Sequence, residues 1–90
     1  MGEGVDRDRV IEILGACGVF VAQRGEGVYA LSIDGRVPEI KRFPPVLERK
    51  ILGYLAQKFG IPVHLFWQPP AQAREWVAAQ ADRSNRADPN

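Results

Sequence analysis

The chain has one cysteine, one histidine and one methionine in 90 residues. A lone Cys17 excludes an internal disulfide, and with a lone His64 it leaves no metal-ligating cluster built from those residues. Cys17 sits among Leu14, Ala16 and Val19, which reads as a buried, inert thiol. No run approaches the roughly 20 apolar residues of a membrane span, so no membrane partner is expected. A secretory leader is not expected either, because Glu3, Asp6 and Asp8 interrupt the first residues; a cytoplasmic location follows as the expectation. Net charge is only +1, so bulk electrostatics make no case for a polyanionic partner.

What is present is enough for one small domain. The chain is 46% hydrophobic, which permits folding alone around a thin core. Charge is unevenly placed. Residues 5–34 hold Asp6, Asp8, Glu12, Glu26 and Asp34 against Arg7, Arg9 and Arg24, a net of −2. Residues 35–60 hold Arg36, Lys41, Arg42, Arg49, Lys50 and Lys58 against Glu39 and Glu48, a net of +4.

Local pattern predicts an α+β domain: a helix, a three-stranded antiparallel meander, a helix, a short apolar segment and a C-terminal helix, over residues 1–81. Val5 to Ala16 reads as a first helix, capped by Asp6 or Asp8, and Val10, Ile13, Leu14 and Cys17 recur at helical spacing. Val19–Arg24 and Val28–Ile33 read as strands; in the second, Tyr29, Leu31 and Ile33 alternate with Val28, Ala30 and Ser32. Asp34-Gly35 is a hairpin signal. A third strand runs from Arg36 to Phe43, and Pro38 confines it to an edge. Pro44-Pro45 is expected to open the second helix, whose apolar stripe is Leu47, Ile51, Leu52, Leu55 and Phe59 and whose end is Gly60. Ile61–Trp67 is a fourth short strand or an irregular turn. The last helix starts at Pro69-Pro70 and runs to about Ala81, with Ala73, Trp76, Val77 and Gln80 on one side. Residues 82–90 are expected to be a disordered polar tail.

No catalytic constellation or cofactor motif stands out. His64 serves as a general base only if the fold brings it a carboxylate, and Gly25-Glu26-Gly27 lacks the glycine spacing and lysine of a phosphate loop. The leading function is therefore non-catalytic binding of RNA or DNA through Arg36, Lys41, Arg42, Arg49, Lys50 and Lys58 around the strand-to-helix junction. The alternative is a protein-interaction module or homodimer using the Pro38 edge strand or the aromatic segment Leu65–Trp67, with Tyr54, Phe66 and Trp67 as anchors.

The order helix–strand–strand–strand–helix, with the segment RGEGVYALSIDGR, resembles the HicA-type toxin family. That resemblance, over about Val10 to Phe66, implies a double-stranded-RNA-binding-like fold and RNA as ligand. The family's Gly-Ser-His triplet matches Gly25, Glu26 and Gly27, and its turn matches Asp34, Gly35 and Arg36. The family's catalytic histidine thus falls on Gly27, which argues against RNA cleavage. A second segment, LAQKFGIPVHLF, is similar to the start of a helix-turn-helix, but the second helix would have to fit between Pro62 and Pro69, too short to lie along a major groove.

Overall fold

The computed structural model describes residues 4–33 and 36–87, with side chains as far as Ala81. The elements run β1 (Val5–Asp6), α1 (Arg7–Ala16), β2 (Phe20–Gly25), β3 (Val28–Ser32), β4 (Glu39–Arg42), β5 (Val46–Leu47), α2 (Arg49–Phe59), a 3₁₀ turn (Val63–Trp67) and α3 (Pro70–Ala87). The fold is α+β. Its main sheet has the order β2-β3-β4, antiparallel throughout, and β1 and β5 form a separate two-stranded ladder.

The meander follows the sequence pattern closely. β4 pairs only with β3, the one-sided pairing that Pro38 just before it demands. The Asp34-Gly35 signal lies outside the described residues; on either side of it, the Arg36 N–H donates to the Ile33 carbonyl at 3.1 Å. A register shift between Gln23 and Gly25 puts a bulge where β2 ends.

The strand alternation sorts two faces. Tyr29 and Leu31 enter the core, where the Tyr29 and Phe43 rings stack at 5.6 Å. Phe20, Ala22, Ala30, Ile40 and Arg42 share the opposite face, since Ala22 pairs with Ala30 and Ala30 with Ile40. Among the described residues no helix covers that face: Phe20 is 74% exposed and Ile40 58%. Ala30 is buried, yet it is not part of the core cluster, because its small side chain lies in the central strand between its neighbours.

Three corrections to the local reading share one cause. α1 starts at Arg7 rather than Val5, and Asp6 at its N-cap makes no side-chain cap bond. Pro44-Pro45 does not open α2, which starts at Arg49. A residue before proline avoids the helical region, so the double proline keeps Phe43 and Pro44 extended. The chain then stays extended through Val46–Leu47, pairing Val5 with Leu47 and Asp6 with Val46. The Arg7 N–H, one of the orphan donors of a first helical turn, bonds the Pro45 carbonyl at 2.8 Å.

α2 buries Leu52, Leu55 and Ala56, with Ile51 and Phe59 half-buried beside them. Gly60 ends it in the left-handed region, φ 68°, and the Ile61 N–H returns to the Ala56 carbonyl. The apolar segment after it is a 3₁₀ turn that drives Leu65 and Phe66 into the core. α3 lies against α1, with Ala73 buried and Trp76, Val77 and Gln80 partly covered. Its helix continues past Ala81 to Ala87, where a disordered tail was expected. Ala78, Ala79, Gln80 and Ala81 are strong helix formers, and neither glycine nor proline follows before Pro89. Residues 88–90 lie outside the described residues.

Candidate functional site

The six cations expected to form one basic face fall into separate groups. Glu39 on β4 accepts an ion pair from Lys58 of α2 and a longer one, 3.6 Å, from Lys41. Lys41 also donates to the Tyr54 hydroxyl at 3.0 Å. Hydrogen bonding from Lys58, then the charges of Lys58 and Lys41, hold the Glu39 carboxyl below its ordinary range. The bond to Tyr54 holds the Lys41 ammonium above its own. Lys41 and Lys58 thus fasten the sheet edge to α2, and Glu39 offsets their charge.

A depressed carboxyl pKa gives a stabilising contribution that is complete above the unfolded value and is lost as pH falls through the folded one. The carboxyl carbon of Glu39 is expected to titrate by NMR below the ordinary glutamate midpoint and to move back up in Lys58→Met. An unchanged midpoint in the variant would show the pair absent in solution.

Arg42 stands apart from Lys41. Successive strand residues point to opposite faces, so Arg42 lies on the open face, opposite Val28, while Lys41 turns toward α2. The strand period was enough to separate them from sequence alone. Arg36 is exposed in a shallow groove with Ser32, Glu39, Lys58 and Phe59. Arg49 and Lys50 are exposed on the first turn of α2.

The structure instead brings Arg42 to Arg7, a residue that local reading treated only as part of a helix start. A cleft of about 510 Å³ at the end of the sheet is lined by Arg7, Glu26, Gly27, Arg42, Phe43 and the two prolines. Arg7 is half-buried there. Its Nη1 donates to the Phe43 carbonyl at 3.1 Å, and its Nε is buried with no hydrogen-bond partner. A second cleft of about 420 Å³ shares Arg7 and Pro45 and adds Asp6, Asp8, Arg9 and Glu12. Arg7 and Arg42 are far apart in sequence, and no local signal joins them.

Gly27 forms part of the cleft wall. Its φ is +71°, and a Cβ there would stand 3.1 Å from Arg7 Nη1 and 3.1 Å from the Phe43 carbonyl oxygen. Gly27 is therefore a left-handed glycine packed under an arginine. Gly27→Ala is expected to cost about 1–2 kcal/mol for the backbone conformation alone, read as a lower urea midpoint at unchanged slope. A wild-type midpoint would show that the turn relaxes without strain.

Phe66 is 0% exposed, so it is a core residue rather than a partner anchor; the 3₁₀ turn points it inward. Trp67 next to it is 39% exposed, and Tyr54 is exposed but engaged by Lys41. His64 is exposed on the same turn, and among the described residues no carboxylate bonds it. No group of three His, Cys, Asp or Glu among the described residues could hold a metal. Cys17 is half-buried, and burial raises its thiol pKa. No helix among them is long and apolar enough to cross a membrane. Comparison of the chain with known protein families, curated proteins and solved structures finds no match.

Proposed function

We propose that this chain is a non-catalytic nucleic-acid-binding domain that seats backbone phosphate in the Arg7–Arg42 cleft. The observation that carries this reading is a single cleft lined by both Arg7 and Arg42, with Arg7 held in place by the Phe43 carbonyl. Guanidinium presents several donors in a planar fork suited to phosphate oxygens. An arginine already held in place loses less side-chain freedom on binding. Arg9, in the adjoining cleft that shares Arg7 and Pro45, and the exposed Arg49 and Lys50 at the start of α2 are the candidates to extend the contact along a strand. Glu26 at the cleft limits the local charge and favours a ligand touching few phosphates.

RNA is the first ligand to test, because the HicA-type resemblance implies it. Glycine at position 27 removes the side chain with which that family cleaves, so binding without cleavage is expected. Lys41 and Lys58, engaged with Glu39, carry less of the contact than Arg42.

Fluorescence anisotropy with short labelled RNA and DNA, single- and double-stranded, at about 50 and 200 mM salt tests the reading. Contact with three phosphates predicts an affinity loss of about 20- to 40-fold over that span. Absence of binding at the lower salt overturns it.

A further inference from the structure

The two edges of the main sheet are built differently. The Phe43 N–H donates to the Gly27 carbonyl at 2.7 Å, so Gly27 and Phe43 form a hydrogen-bonded pair. Antiparallel alternation then turns the backbone groups of Ile40 and Arg42 out of the sheet, and with them position 38. Pro38 has no N–H to offer there, and β4 is short and carries Glu39, Lys41 and Arg42. Proline, charge and shortness are the devices that stop an edge from pairing with another chain.

β2 at the other edge has none of them along most of its length; its irregularity is the bulge at Arg24, between Gln23 and Gly25. It is the longest of the described strands, has no proline, and carries one charge, Arg24, near its end. The same alternation carried across β3 bonds Phe20 and Ala22 inward and turns the N–H and C=O of Val21 and Gln23 outward. Among the described strands only β3 pairs with it.

We propose that two copies of this chain join through their β2 edges into one continuous antiparallel sheet. A second copy fits because β2 is complementary to itself in one register. With Ala22 on the two-fold axis, Val21 faces Gln23 of the second copy and each exchanges both backbone bonds. Phe20 then lies opposite Arg24 of the second copy, a cation beside an aromatic ring, made twice by symmetry. The small Ala22 side chains meet at the centre without a clash. Centring on Val21 puts Phe20 opposite alanine, and centring on Gln23 puts Arg24 opposite alanine; both lose the pair. The same register merges the two open faces, extending cover around Phe20, which is 74% exposed in the single chain. The pairing is independent of the Arg7–Arg42 cleft, whose lining includes no residue of β2.

Sedimentation equilibrium of the full chain tests the proposal. The mass is expected to rise from 10.0 kDa toward twice that value between about 10 and 500 μM, a range suited to weak association. Gln23→Pro removes an outward N–H and no backbone bond between strands, with the loss of the exposed side-chain bond from Gln23 to the Gly25 carbonyl. Ala22→Lys puts two like charges on the axis at an exposed site. Each is expected to weaken association at least ~10-fold with unchanged far-UV circular dichroism; if the proline variant misfolds, Ala22→Lys decides. Ile40→Lys on β4 is expected to leave association unaltered. A constant 10.0 kDa across the range overturns the proposal, as does association that survives Ala22→Lys or is lost in Ile40→Lys.

Discussion

Phe66→Ala is expected to lower the free energy of unfolding by about 3–5 kcal/mol, the range for truncating a buried aromatic. Its side chain is the largest of those fully enclosed, and it packs in the one core cluster with residues of α1, α2 and the sheet. Total stability for a domain of this size is about 5–15 kcal/mol, so the variant is expected to lose a large fraction of it. Trp67→Ala, one residue away and partly exposed, is expected to cost less than Phe66→Ala. Urea unfolding followed by circular dichroism measures both. A cost for Phe66→Ala below about 1 kcal/mol would return Phe66 to the surface and revive the aromatic segment as a docking site.

The second large effect is on binding. Arg42→Glu is expected to weaken RNA binding by about 10- to 100-fold at low salt, since a hydrogen bond to a charged group contributes about 1.5–3 kcal/mol and reversal adds repulsion. Arg42 is exposed and makes no bond that holds the fold among those described, so its variant reads binding rather than stability. Arg7 is the less clean probe, because it also holds the Phe43 carbonyl. Lys58→Met removes a cation that faces Glu39 and is expected to change affinity about twofold or less. The two variants are compared by anisotropy at one salt concentration. Loss of binding in Lys58→Met with Arg42→Glu unaffected would move the ligand to the β4–α2 side and refute the cleft.

Lys41 and Arg42 are adjacent in sequence, but the period of a strand sends them to opposite faces. Phe66 and Trp67 were grouped as aromatic anchors, but only the packing of the 3₁₀ turn decides that one is covered and its neighbour is not. Glu39 offsets the charge of the 35–60 segment in the sequence, and the fold sets it directly between Lys41 and Lys58.

The sequence by itself determined the α+β order, the alternation of β3, the edge position of β4, the Gly60 helix end and the covered side of α3. Each of these rests on a backbone period, a proline without an N–H or a glycine free to turn left-handed, which act within a few residues. The tertiary structure alone decided the β1–β5 ladder that displaces both helix starts, the meeting of Arg7 with Arg42, and the contrast between a guarded and an unguarded sheet edge. Those depend on which distant segments come to lie side by side, and burial belongs to the covering neighbours as much as to the residue covered.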